Sequence, residues 1–209
     1  PSLIERLEIS HHLIDISDPK DPYSVADFCR DAKQAIADII AREKIPLLVG
    51  GTMMYFHALK TGLSSLPSGD LAIRLQLENK MQQQGLGALY QQLLQVDSKT
   101  AQMIHENDTQ RILRALEVYE STGTALSDWQ SSADKQALNY DIRSLAVMPA
   151  DRAELHRHIE QRFDDMLAQG FMEEMEGLFN RQDLSAHLPS MRCVGYRQAW
   201  QYLSGELDF

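Results

Sequence analysis

The sequence predicts an α/β fold: a parallel-sheet core interrupted by an all-helical insertion. Three observations carry this. Residues 45–49 form a short apolar run that ends in Gly50-Gly51-Thr52, where a helical pattern begins. Bounded by Pro46 and the glycine pair, the run reads as a strand buried on both faces. Upstream of it lie a weakly alternating stretch, residues 12–16, and a helical stripe of Val25, Phe28, Ala32, Ile36, Ile39 and Ile40. Strand, helix, strand, helix in succession implies a right-handed βαβ unit. From Leu71 to about Ser132, by contrast, only helical patterns occur.

Each element has a local reason. Residues 3–10 suit a short helix, and Asp18-Pro19-Lys20-Asp21-Pro22 is a turn cluster. Ser24 and Asp27 have capping-box spacing and open a helix to about Arg42. The character changes after Gly62, with a linker-like Leu66-Pro67-Ser68-Gly69-Asp70. Leu71, Leu75, Glu78 and Met81 belong to a helix that stops near Gly85; Leu89, Leu93 and Val96 mark a second. Asn107 or Asp108 caps a third, with Ile112, Ala115, Leu116 and Tyr119 on one face and Gly123 at its end. Residues 142–148 return to strand character. Asp151 then caps a helix whose stripe is Leu155, Ile159, Phe163, Met166 and Leu167, stopped by Gly170. A helix over 171–179, a loop over 189–195 and a helix to about Leu203 complete the order. The expected domains are 1–65 (first part of the core), 66–140 (insertion) and 141–209 (second part of the core).

The chain carries a formal net charge of −10, which argues against a sequence-independent nucleic-acid binder. The charge is uneven, however. Residues 184–205 hold no acid, while Arg192 and Arg197 lie among Tyr196, Trp200 and Tyr202. Such a patch suits single-stranded nucleic acid, and equally a packed helix with aromatic core residues. No apolar run approaches ~18 residues, so no membrane helix is expected. No signal peptide is visible, and the opening Pro1-Ser2-Leu3 reads as mid-chain sequence. Cys29 and Cys193 are the only cysteines. A cytoplasmic location is expected, and no Cys/His metal site.

Several residues are candidates for chemistry. Gly50 and Gly51 permit close approach of the backbone to a bound group, and the Thr52 hydroxyl can cap a helix or face a ligand. Arg162 lies seven residues after Leu155 and three after Ile159, so it is expected to border a buried face and to need a carboxylate, a carbonyl or a phosphate. Arg111 and Arg114 project together; a salt bridge with Glu117 is the plain alternative to a ligand.

Six motifs then occur in order: HHLID (11–15), DPxDPYSxADF (18–28), PLLVGGTxxYFxAL (46–59), ENDTQRILRALEV (106–118), HIEQRF (158–163) and LPSMRCVGYRQ (188–198). In this combination the chain resembles the bacterial tRNA dimethylallyltransferase family over nearly all its length. The resemblance implies a P-loop-NTPase-like core, of a nucleotide- or ATP-binding type, with a helical insertion. It implies transfer of a dimethylallyl group from dimethylallyl diphosphate to N6 of the adenosine 3′ of the anticodon, flipped out of its stack. Thr52 would sit at the reacting centre beside Gly50 and Gly51, and Arg162 would bind the diphosphate. Arg74, Gln110, Arg111, Ile112, Leu113 and Arg114, with Arg192, Cys193, Val194, Gly195, Tyr196 and Arg197, would contact the tRNA anticodon stem-loop. A monomer is expected.

The pattern is also departed from. No GxxxxGK[ST] occurs, nor the strand with the family's general-base Asp. The ligands of the expected Mg²⁺ belong to that phosphate loop, none to this chain, and a polypeptide that began at Pro1 is expected to be inactive. Two other functions fit the residues. A free-nucleotide (AMP) dimethylallyltransferase would not need the insertion, and a non-catalytic RNA-binding module would bind stem-loops without turnover.

Overall fold

The computed structural model describes residues 3–63, 66, 67, 69–132 and 138–208. Ser64, Ser65 and Ser68, at the expected boundary and linker, lie outside the described residues, as do residues 133–137 of the expected insertion. The chain divides into two compact units, one of residues 1–50 and 141–209, the other Gly51–Tyr140.

The second unit is helical: α3 (Met53–Thr61), α4 (Leu71–Gln84), α5 (Leu86–Val96), α6 (Ser98–Met103), α7 (Thr109–Thr122) and α8 (Leu126–Ser132). Its core is Leu77, Leu89, Leu93, Ala101, Ile112, Leu113, Ala115, Leu116, Val118 and Leu126. Each buried leucine or isoleucine contributes about 1.5–3 kcal/mol. The helix ends are closed by side chains. Asp70 accepts from the amides of Ala72 and Ile73 at 2.9 and 3.2 Å, and Asp108 from that of Arg111 at 3.1 Å. Gly123 ends α7 in the left-handed region (φ 71°), which glycine enters without Cβ strain. Asp97 caps α6 and also accepts from the Ser127 amide. Burial pushes the Asp97 carboxyl up, but the hydrogen bonds from Thr100 and Ser127 outweigh it and hold the group below its usual range.

The first unit holds α1 (Leu3–Glu8), α2 (Val25–Ala41), α9 (Arg152–Ala168), α10 (Phe171–Phe179) and α11 (Tyr196–Leu203). The capping box at Ser24 and Asp27 is formed, with the Asp27 amide donating to Ser24 Oγ at 3.2 Å. Phe171, Met175 and Ala199 make a small core between α10 and α11, with Tyr196 and Trp200 packed against it.

Three expectations change here. No strand is present among the described residues. Residues 12–16 cannot run straight, because Leu13 and Asp15 have φ of 60° and 54°. Residues 45–49 and 142–148 take no regular secondary structure, and Leu145 and Val147 are 93% and 98% exposed. A strand is defined by its neighbours, so apolar composition alone does not make one. On α9, Ile159 and Phe163 are 56% and 45% exposed, while Met166 and Leu167 at its end pack against the α10–α11 core. Arg162 therefore borders an exposed face among the described residues, not a buried one.

Candidate functional site

The candidate residues fall on both units. In the helical unit, Thr52 occupies the N-cap position of α3 but its side chain makes no capping hydrogen bond. Only its carbonyl enters the helix, accepting from the Tyr55 amide at 3.0 Å. The hydroxyl is exposed and uncommitted. Neither Gly50 nor Gly51 has positive φ, and a Cβ on Gly51 would meet nothing within 4 Å. The chain's own geometry thus makes no demand for glycine at 51; close approach of a ligand would.

Arg74 and Arg114 of this unit are committed inward. Glu117 on α7 is 5% exposed. Its Oε1 accepts from the Asp70 amide at 2.8 Å and pairs with Arg114 at 3.2 Å; its Oε2 lies 3.9 Å from Arg74. Arg114 also donates to the Pro67 carbonyl at 2.7 Å, and Arg74 to Glu78 at 2.9 Å. A Cβ on Gly69 would come within 3.1 Å of Glu117 Oε1, so this approach is tight. The cluster pins the start of α4 to α7. Arg111 pairs with Asp108 rather than Glu117, at 3.1 Å, and stays 70% exposed. Gln110 is exposed; Ile112 and Leu113 are core residues that hold the helix carrying these polar groups.

In the first unit the candidate arginines face solvent. Arg162, Arg192 and Arg197 are exposed and make no side-chain hydrogen bond or ion pair among the described residues. Arg192, Cys193 and Val194 project from the loop before α11, and the Cys193 thiol donates to the Pro189 carbonyl at 3.7 Å. Gly195, at φ 91°, turns the chain into α11, and its amide donates to Gln198 at 2.9 Å. Tyr196 is half-buried. Its ring meets Phe171 edge-on at 5.6 Å and its hydroxyl donates to Glu174, while burial first and that carboxylate second push its pKa up to about 12. Trp200 packs edge-on against Phe179 at 4.9 Å. Of the two readings of this patch, the packed helix holds for Tyr196 and Trp200, while Arg192 and Arg197 remain free.

Two contacts were not legible in the sequence. Arg181 donates to Asp18 Oδ1 at 2.8 Å, and the Ser190 hydroxyl to the Pro19 carbonyl at 2.5 Å. The DPxDP turn thus anchors the LPSMRCVGYRQ loop; the only signal was that both motifs occur. A groove of about 400 Å³ lies beside Leu13, Ile16, Tyr23, Asp27, Arg30 and Asp31. Its polar groups satisfy one another, Arg30 meeting Asp27 at 2.7 Å and Asp31 at 2.8 Å, so nothing convergent is left for a ligand. No group of three or more His, Cys, Asp or Glu able to hold a metal exists among the described residues. The described residues do not by themselves form a Mg²⁺ site. No helix among the described residues is long and apolar enough to cross a membrane.

The solved structures similar to this chain include the following three. The full-length tRNA isopentenylpyrophosphate transferase of Bacillus halodurans is 30% identical with a TM-score of 0.62; the match covers 100% of this chain and 64% of that one. The tRNA delta(2)-isopentenylpyrophosphate transferase of Staphylococcus epidermidis is 27% identical, with a TM-score of 0.56 and coverage of 100% and 67%. A eukaryotic dimethylallyltransferase acting on tRNA is 25% identical, with a TM-score of 0.73 and coverage of 98% and 52%. The chain thus spans 64% of the length of the first of these structures and 52% of the third. Residues 1–209 also match the IPP transferase family along their whole length, and the chain belongs to that family.

Proposed function

We propose that this chain serves a tRNA dimethylallyltransferase: it takes part in transferring the dimethylallyl group of dimethylallyl diphosphate to N6 of the adenosine 3′ of the anticodon. The observation that carries the reading is the family match over residues 1–209. In the reaction the N6 lone pair forms a C–N bond to the allylic carbon. The C–O bond to the diphosphate breaks, its electron pair leaves with the diphosphate, and the amine gives up one proton to a base. An exocyclic adenine amine is a poor nucleophile, because its lone pair is delocalised into the ring. Alignment and stabilisation of the leaving charge therefore supply most of the acceleration.

The chain's residues suit these tasks. The Thr52 hydroxyl, free of the helix it precedes, can orient a reactant by hydrogen bonding. Arg162, with no carboxylate partner among the described residues, can offer its fork to two diphosphate oxygens. Arg192 and Arg197 can meet RNA phosphates without first breaking an ion pair, whereas Arg74 and Arg114 must share theirs with Glu117. The insertion at 66–140 serves as the grip on the stem-loop. The exposed apolar segments 45–49 and 142–148 supply strands to a P-loop-type parallel sheet in the complete protein. Mg²⁺, expected with the diphosphate, takes its ligands from outside these residues.

The test is a transfer assay on the complete protein, with labelled dimethylallyl diphosphate offered an anticodon stem-loop and AMP side by side. Label on the stem-loop is expected. Label on AMP would move the protein to the free-nucleotide reaction, and stem-loop binding without label would make it an RNA-binding module.

A further inference from the structure

The loop between α10 and α11 carries Arg192 and leads into Arg197 in the first turn of α11, both without a partner among the described residues, yet neither helix nor sheet fixes that loop. What fixes it comes from residues 18–20. Arg181 spends its guanidinium on two carboxylates: Asp183, at 2.9 and 2.8 Å, and Asp18, at 2.8 Å and 163 residues away in sequence. Ser190 Oγ donates to the Pro19 carbonyl, and Lys20 lies 3.8 Å from Asp183. The Asp18 turn is itself closed by the Asp21 amide on the Asp18 carbonyl at 2.9 Å and the Lys20 amide on Oδ1 at 3.0 Å. From Ser190 the order passes along the backbone. The Cys193 amide donates to the Ser190 carbonyl at 3.4 Å, and the Arg197 amide to the Cys193 carbonyl at 2.9 Å. Met191, between anchor and arginine, is 1% exposed and seats the loop.

We propose that Asp18, Arg181 and Ser190 are positioning residues for RNA binding, holding the 188–195 loop so that Arg192 and Arg197 meet the RNA backbone. This rests on the tRNA reading above. The clamp is not itself a phosphate site. Arg181 and Lys20 are balanced by Asp18 and Asp183, so the positive charge left to RNA is that of Arg192 and Arg197. The Arg181 guanidinium also holds the Asp18 carboxyl below its usual range, with the Lys20 amide adding to the effect, so the clamp stays charged at neutral pH. Lysine at 181 could not bridge both carboxylates with the same geometry.

The experiment is steady-state transfer by the complete protein to an anticodon stem-loop. Asp18→Asn is expected to raise KM for the stem-loop about fivefold, with kcat and the KM for dimethylallyl diphosphate within about twofold of wild type. Ser190→Ala is expected to raise it about twofold, and Asp18→Glu to recover most of the Asp18→Asn loss. An unchanged stem-loop KM in both Asp18→Asn and Ser190→Ala, with a lowered melting temperature, would overturn the positioning role and leave a structural ion pair. So would parallel changes in kcat and both KM values. Wild-type protein that ignores the stem-loop would instead overturn the tRNA reading, and this role with it.

Discussion

The two units treat their charges and their apolar faces in opposite ways. The helical unit builds its own core: Leu77, Leu89, Leu93, Leu113 and Leu116 are buried against one another, and Arg74 and Arg114 are drawn onto a buried glutamate. The other unit leaves Ile159 and Phe163 of α9 in solvent, and Arg162, Arg192 and Arg197 have no partner among the described residues. A completed core and satisfied ion pairs contribute stability. A cation without a partner contributes little to folding, and keeps its full interaction for a ligand. The contrast assigns scaffold work to the first group and ligand work to the second.

Breaking that contrast should be most visible in the scaffold. Leu93→Ala opens a hole among fully buried side chains and is expected to cost about 2–5 kcal/mol in urea unfolding, whereas Ile159→Ala on α9 should stay within about 0.5 kcal/mol. Equal losses would show that α9 is covered after all. Arg162→Ala is next. It should lower kcat about 10²–10³-fold with little change in the stem-loop KM, and full kcat in the variant would remove Arg162 from the reaction. Thr52→Ala is expected to lower kcat about tenfold, the worth of one hydrogen bond. Its melting temperature should not move, since the hydroxyl caps nothing. A loss of stability alone would return Thr52 to a capping role.

The smallest effect is at the capping box of α2. The Ser24 hydroxyl, and then Arg30, lower the Asp27 carboxyl from 3.8 to about 2. A depressed folded pKa means that this contribution is complete above the ordinary value and is lost as pH falls toward the folded one. The Asp27 carboxyl followed by NMR should titrate near 2; a midpoint at 3.8 would mean that the box is not formed.

What the sequence revealed was local. The Ser24–Asp27 box, the Asp108 and Asp151 caps and the stops at Gly85, Gly123 and Gly170 depend on neighbours within one turn, and all are present. Whether the apolar runs pair as strands was not legible, because pairing is non-local: residues 45–49 have strand composition and no partner among the described residues. The same limit hid Glu117. Its pairing with Arg114 follows from spacing, but its burial depends on Asp70, 47 residues away. Arg162 was placed by helical period; its exposure depends on what covers α9, which period does not reveal. The Arg181 clamp was hidden for the same reason.

The most direct test of the contrast is the salt dependence of stem-loop binding by the complete protein. Removing one arginine that meets a phosphate should flatten the slope of log K against log salt by about 0.7. Arg192→Ala and Arg197→Ala are expected to flatten it, while Arg74→Ala and Arg114→Ala lower stability and leave it unchanged. The reverse pattern, with the slope carried by Arg74 and Arg114, would contradict the division between scaffold and ligand arginines.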